Sequence, residues 1–373
     1  MLSAWLERLR DFRNRKVADP LFRRWAGRFA LTRPVARRQA KALFDLTAGF
    51  VYSQILGACV RVDLFEILAA GPLDLASIAE RINLPEEGAE RLLKAAVALD
   101  LIETRSASRY ALGPLGAALV GNHGVKAMIL HHDILYGDLR DPLKLLAGKV
   151  QSGLQQYWAY AGASQGVGAE PRRHADYTAL MAASQAFVTA EILDAYPLSG
   201  HRRLLDVGGG DGAFLLAAGQ AAPDLQLTLF DLPPVAAQAR QRLLAAGLAG
   251  RAKAIGGSFF HDELPQGADL ITLNRVLHDH DDSAALAILR AARKAIAADG
   301  TLLIAEPMAG TPGALASGDA YFGFYLLAMG QGRPRTAGEI ASMLAQAGFG
   351  GIRPVATNTP LIARIVTAKP AQL

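Results

Sequence analysis

The sequence predicts an α/β protein, with a mostly parallel, doubly wound sheet closed by an antiparallel hairpin and a smaller helical domain in front of it. Three observations predict this. From residue 201 onward strand-like and helix-like runs alternate, as they do in a Rossmann-like sheet. The first of those strands runs into a glycine-rich turn, Asp206-Val207-Gly208-Gly209-Gly210-Asp211-Gly212. Residues 74–101 read as helix, turn and helix, followed by two short strand-like segments, a winged-helix pattern.

Length and composition agree. A chain of 373 residues predicts more than one domain, and 51% hydrophobic residues exclude a mostly disordered chain. The single cysteine, Cys59, excludes an intramolecular disulfide, a cysteine-based zinc site and an iron–sulfur cluster. It also points to a reducing compartment, so the expected location is the cytoplasm. Charges interrupt the N-terminus throughout, and no secretory signal or membrane-spanning run is expected.

In chain order, residues 1–41 form a basic arm. They hold twelve Lys and Arg against three Asp and Glu, so +9 of charge is concentrated there and the rest of the chain is mildly acidic. Trp5, Leu6, Leu9 and Phe12 recur at helical spacing, as do Leu21, Phe22, Trp25 and Phe29 after Pro20. Such a helix either lies on a membrane surface or docks on protein. Residues 42–120 form the winged-helix-like domain. Ala76-Ser77 opens its first helix, and Pro85-Glu86-Glu87 opens its second, with acids where the helix dipole favours them. The wing turns at Ser106-Ala107-Ser108. The second helix carries only Arg91 and Lys94 against Glu86, Glu87 and Glu90, too little positive charge for nucleic acid. Residues 121–200 continue as helices, with loops around Gly162–Pro171, and their His131, His132, Asp133 and Tyr136 either line a pocket or stay as polar groups on a helix surface. Adjacent histidines point to different helix faces, so no metal clamp is expected.

Residues 201–373 form the sheet. Strands are expected at Arg203–Val207, Leu225–Asp231, Ala252–Gly256, Asp269–Leu273, Thr301–Ala305, Ile352–Ala356 and Ile362–Thr367. Helices are expected through Ala222 and at Val235–Ala246, Ala284–Ala298 and Ala337–Ala347. The last two strands flank a short loop and should pair as an antiparallel hairpin.

The glycine turn permits close backbone approach, and Asp231, at the end of the next strand, is placed to accept the hydroxyls of a ribose. A nicotinamide dinucleotide would put its pyrophosphate on this turn, where Asp206 and Asp211 repel it. S-adenosylmethionine, with its sulfonium and ammonium, suits those acids. The segment Leu273-Asn274-Arg275-Val276-Leu277-His278-Asp279-His280-Asp281-Asp282 follows the fourth strand. His278 is the candidate general base for methyl transfer to a hydroxyl. Glu306, one strand over, is the candidate partner of its imidazole, and Asp281 or Asp282 the cap of the next helix. Tyr321–Met329, rich in aromatic and apolar groups, suits a lipophilic acceptor.

The motifs DVGGGDG, LFDLP, GSFF, LHDHDD, IAEPM and GRPRT resemble those of class I O-methyltransferases of the plant caffeate and animal hydroxyindole type. The resemblance spans nearly the whole chain. It implies a methyltransferase sheet, an N-terminal winged-helix dimerisation domain, a homodimer and S-adenosylmethionine as donor, with no metal. It implies catalytic roles for His278, Asp279 and Glu306, and donor contacts from Asp206, Gly208, Gly210, Asp231, Leu232, Ser258, Phe259 and Asn274. It also implies a pocket that includes His132, Tyr136, Met181, Phe324 and Met329. Three positions depart from the family: Ser258 where Asp is common, His280 where Trp is common, and Pro334 where a second supporting Glu is common. The segments FRRWAGRFALTRPVARRQAKALFDLTAGFVYSQ, HHDILYGDLRDP, LMAASQAFV and GDAYFGFYLLAMGQGRPR further resemble the bacterial O-methyltransferases of acyclic carotenoid synthesis. That implies methylation of a tertiary 1-hydroxyl on a small lipophilic substrate. An enzyme acting on a phenol, hydroxyindole or polyketide is the alternative, and a non-catalytic donor-sensing regulator a third reading.

Overall fold

The computed structural model describes residues 2–156 and 185–372. They form two compact units, Met1–Gly121 and Asn122–Leu373. The Gly162–Pro171 loops and Met181 lie outside the described residues.

In the first unit, helices α1 (Leu2–Ala18), α2 (Pro20–Arg28) and α3 (Arg33–Arg61) follow one another. The break is local chemistry: Pro20 sits in the first turn of α2, and the Asp19 carboxylate accepts from the Leu21 N–H at 2.8 Å. Arg23 then donates to the last carbonyls of α1, those of Val17 and Ala18, at 3.0 and 2.8 Å, which fixes the corner. Trp5, Phe12, Leu21 and Trp25 remain exposed. Helix α3 runs 29 residues, straight through position 41, and is long and apolar enough by length and composition to cross a membrane. The sequence reading expected no such helix, because Thr47, Gly49, Ser53 and Gln54 interrupt the apolar run without lowering its average much. Leu43, Phe44, Leu46 and Phe50 stand exposed along it.

The expected helix pair is Leu75–Arg81, capped by the Asp74 carboxylate on the Ser77 N–H, and Glu86–Ala98. Strands β1 (Ile102–Arg105) and β2 (Arg109–Leu112) follow as an antiparallel pair, turned by Ala107 and Ser108 at positive φ. Arg91 and Lys94 pair with Glu87 and Glu90 of their own helix. Phe65, Ile78, Leu93 and Ile102 are buried as the core of this unit.

The second unit is built on β3 (Arg203–Val207), β4 (Gln226–Asp231), β5 (Ala252–Gly256), β6 (Ala268–Asn274), β7 (Ile296–Glu306), β8 (Phe349–Val355) and β9 (Arg364–Pro370). Their order across the sheet is β5-β4-β3-β6-β7-β9-β8. The first five strands are parallel, and β9 is antiparallel to both β7 and β8. The hairpin therefore joins the sheet through its second strand, leaving β8 at the edge. Both faces are covered. Leu205, Ile271, Leu273, Leu302 and Ile304 pack on one side, and their neighbours Leu204, Leu270 and Leu303 on the other, so the strands read as continuous apolar runs. The helix expected to reach Ala298 stops at Ala295, since Ile296 already pairs with Ala268 of β6. Its alanine-rich end is helical by propensity, but sheet pairing overrides that preference.

Candidate active site

The functional side chains gather at the carboxyl ends of four adjacent strands, β4, β3, β6 and β7, where ligands of open α/β sheets bind. Asp231 ends β4, Asp206 and the glycine turn end β3, Asn274 ends β6 and Glu306 ends β7.

The turn requires its glycines. Gly208 and Gly210 have φ of 70° and 59°, and a Cβ on Gly208 would meet Val276 at 2.8 Å. Asp231 holds the turn in place: its carboxylate accepts from the Gly210 N–H at 2.8 Å and the Leu232 N–H at 2.7 Å. Asp206 lies beneath, almost fully buried. One oxygen accepts from Thr272 at 2.6 Å and from the Asn274 amide at 3.1 Å. Its other oxygen has no hydrogen-bond partner, and it lies 2.6 Å from where a Cβ on Gly209 would sit. The Asn274 carbonyl oxygen is likewise unpartnered. Burial first, and Asp231 nearby, push the Asp206 carboxyl up to about 7, against the opposing hydrogen bonds of Thr272 and Asn274. Two buried acceptors beside a glycine turn fit a donor that carries an ammonium. Asp211 does not contribute as expected: its carboxylate is ion-paired with Arg242 from the helix after β4, Pro233–Ala245.

Ser258 and Phe259 lie on the loop after β5. Ser258 caps its own turn, its N–H donating to Asp262 at 2.8 Å and its Oγ accepting from the Phe260 N–H at 3.3 Å. Phe259 meets Phe260 edge-on at 4.7 Å and His280 at 5.5 Å, so His280 belongs to this aromatic wall.

His278 sits in a short turn, Leu277–Asp279, after β6, and is 1% exposed. Arg275 precedes it at φ 57°, a strained position for a non-glycine residue. The imidazole Nε2 is 3.2 Å from Asp279 Oδ1, and Nδ1 has no hydrogen-bond partner. Glu306 was expected against the ring; instead its Oε2 accepts from the His278 backbone N–H at 3.1 Å, and its Oε1 is unpartnered. A strand end fixes where a carboxylate starts but not which hydrogen of its neighbour it takes. Burial, then Arg275, Arg335 and His280, hold the His278 pKa well below the usual imidazole range, so the ring is neutral at neutral pH. Burial pushes the Asp279 and Glu306 carboxyls up to about 7.

A chain of rings leads away from His278. Phe322 lies 6.1 Å from it, Tyr321 meets Phe322 at 5.0 Å, and Tyr321 Oη pairs with His132 Nε2 at 2.7 Å. Tyr136 packs edge-on against His132 at 6.3 Å. One helical turn along, Tyr325 Oη pairs with His131 Nε2 at 2.9 Å. Burial lowers both histidine pKa values, that of His131 to about 4. This wall therefore presents neutral rings whose polar atoms are tied to each other. Phe324 is half-buried on the same helix, whereas Met329 is buried in a core cluster with Leu135, Leu154 and Tyr325. The segment Tyr321–Met329 was expected to suit a lipophilic acceptor, but the pairing of Tyr321 and Tyr325 with the two histidines was missed, and so was Arg335. The tyrosines had a signal, since two residues four apart share a helix face with the paired histidines as complement. No metal-holding group of acids, histidines and cysteine exists among the described residues.

Asp231→Ala is expected to raise the donor KM about tenfold, because a charged acceptor is lost from a site where both its oxygens are already half committed to backbone N–H groups. An unchanged KM would contradict a ribose role.

Known proteins resemble the chain over most of its length. Residues 143–350 match the family model of the O-methyltransferase domain, and residues 44–122 that of the O-methyltransferase dimerisation domain. The chain is 42% identical to demethylspheroidene O-methyltransferase of Cereibacter sphaeroides, over 92% of this chain and 90% of that one. It is 39% identical to the enzyme of that name from Rhodobacter capsulatus, over 92% and 85%. Among solved structures, a methyltransferase of calicheamicin biosynthesis bound to S-adenosylhomocysteine (CalO1) superimposes with TM-score 0.76 at 28% identity, covering 90% of this chain and 98% of that one. Human N-acetylserotonin methyltransferase in complex with S-adenosylmethionine does so with TM-score 0.69 at 26% identity, covering 90% and 98%. The chain belongs to the S-adenosylmethionine-dependent O-methyltransferases that carry an N-terminal dimerisation domain.

Proposed function

We propose that this enzyme methylates the tertiary hydroxyl of an acyclic carotenoid, with His278 as general base. The observation that carries the reading is the buried, neutral imidazole at the end of β6, with one nitrogen unpartnered, one strand from the donor turn of β3. The similarity to two demethylspheroidene O-methyltransferases supports the acceptor class, and the wall of internally satisfied rings suits a polyene. The dimerisation match begins at residue 44, inside helix α3, so the basic arm runs into the matched domain through one continuous helix.

S-adenosylmethionine, when bound, supplies a methyl group on a sulfonium. Gly208, Gly210, Asp231 and Leu232 would hold its ribose side, Asp206 and Asn274 its ammonium, and Ser258, Phe259 and His280 its adenine. His278 takes the acceptor's proton as the oxygen–methyl bond forms in line with the breaking sulfur–methyl bond, whose electron pair stays on sulfur. A tertiary alcohol is a far weaker acid than a phenol, so a base already neutral and fixed in place matters here. Asp279 steadies the imidazolium that forms. The test offers methyl-labelled donor with a 1-hydroxy acyclic carotenoid in detergent, a catechol and a hydroxyindole. Label in the carotenoid alone is expected. Label in the aromatic acceptors alone would replace the acceptor class, a reading favoured by the 31% identity to acetylserotonin O-methyltransferase of Mus musculus.

The enzyme is read as cytoplasmic and peripheral to the inner or photosynthetic membrane. The +9 arm, with exposed Trp5, Phe12, Leu21 and Trp25, has the charge and the aromatics to rest on an anionic bilayer. Phosphatidylglycerol vesicles should co-sediment the full chain. Binding should fall several-fold when residues 1–31 are removed or Trp5 and Trp25 become Ser. Equal binding would assign the arm to protein contact instead.

A further inference from the structure

Arg335 is a fully buried arginine. Its guanidinium makes four hydrogen bonds. Nη1 donates to the Leu277 carbonyl at 2.7 Å and Nη2 to the His280 carbonyl at 2.7 Å, while Nε and Nη2 reach Asp282 Oδ1 at 3.0 and 2.8 Å. Two residues earlier the Arg333 N–H donates to the His278 carbonyl at 2.9 Å. Gly332, at φ 80°, lies so close that a Cβ there would sit 2.2 Å from that same carbonyl oxygen. The far end of the segment is anchored too, since the Ala309 N–H, three residues past Glu306, donates to the Arg335 carbonyl at 3.0 Å. Three carbonyls at and around the base, those of residues 277, 278 and 280, are thus held by one short stretch of chain.

We propose that residues 332–335 form a strap that sets the position of His278, with Arg335 as its positioning residue, held in turn by Asp282. The proposal rests on the reading of His278 as base. A buried guanidinium is held only where its donors are satisfied, so the loop carbonyls and the arginine fix each other. The strap also acts through charge. The groups that face His278 are Arg275, Asp279 and His280 from its own segment, Glu306 from β7 and Arg335 from the strap. Burial is the largest cause that holds the imidazole unprotonated, and of these groups the two arginines and His280 add to it.

Position and charge are separable by variants. Gly332→Ala pushes on the His278 carbonyl without changing charge. It should lower kcat roughly 10- to 100-fold, with donor and acceptor KM within about threefold and the acid limb of the pH profile unmoved. Arg335→Gln should lower kcat similarly and move the acid limb to higher pH, because a cation that disfavoured the imidazolium is gone. Arg335→Lys should recover part of both. Asp282→Asn, at an exposed position, removes the counter-ion and should move the limb the other way; it reads the charge effect even if Arg335→Gln does not fold. Wild-type kcat in Gly332→Ala, or acid limbs that do not move oppositely in Arg335→Gln and Asp282→Asn, would overturn the strap. His278→Ala runs alongside: if it keeps activity, the reading of the base fails, whereas its loss beside unaffected strap variants removes the strap alone.

Discussion

His278→Ala is expected to lower kcat by roughly 10²–10⁴-fold, the usual worth of a positioned general base, while donor affinity stays within a few-fold. The imidazole is buried at the end of β6, beside the strand that carries the donor turn. Burial and two arginines hold its pKa well below the ordinary range, so it is in the proton-accepting form throughout the neutral range. The Nδ1 of the ring makes no hydrogen bond. The low pKa carries a cost, since a weaker base has less driving force to accept a proton. Asp279, 3.2 Å from the ring, offsets that cost once the imidazolium forms. Asp279→Asn should therefore lower kcat less than His278→Ala does. Full activity in His278→Ala, measured with labelled donor and the hydroxycarotenoid, would leave proton removal to water and end the role of His278.

The parts of this site legible in the sequence were those fixed by backbone geometry. A strand followed by a glycine turn puts Gly208 and Asp231 at neighbouring strand ends whatever their side chains do, and the alternation of strands puts Asn274, His278 and Glu306 beside them. Rotamers and long-range partners were not legible. Asp211 looked available to a cationic donor, but Arg242, 31 residues away, occupies it. Glu306 was placed on the right strand and at the right depth, yet it holds a backbone N–H rather than the ring. Arg335 was invisible, because an arginine that is 0% exposed is spelled like any surface arginine. Nothing in its local pattern reports that it reaches carbonyls more than fifty residues back. The substrate wall was half legible: His132, Tyr136 and the aromatic segment Tyr321–Met329 were seen, but not that tyrosines of the one pair with histidines of the other across about 190 residues of chain.

Asp206→Asn should weaken donor binding roughly 10- to 100-fold at pH 8, the worth of a hydrogen bond to a charged group, and should remove most of its pH dependence. The reason lies in what surrounds the carboxyl. Thr272 and Asn274 take up one oxygen, and the other faces the glycine turn without a donor. Burial raises its pKa to about 7, so near neutrality the free enzyme is a mixture of charged and neutral forms. A cationic donor prefers the carboxylate, and binding below pH 7 must first drive the proton off. The sign follows: affinity is greatest above pH 7 and is lost as pH falls through it, by about tenfold between pH 8 and pH 6 for a single linked proton. Asp279 and Glu306 also titrate near 7, but they remain in the variant, as do the donor's own ionisations, so the difference between the two proteins belongs to Asp206. Calorimetry at pH 6, 7 and 8, in two buffers of different ionisation enthalpy, counts the proton released on binding. About half a proton at pH 7 in the wild type and markedly less in the variant is the expected result. Equal release by both proteins would move the linked proton to another group and leave Asp206 as a structural support of the turn.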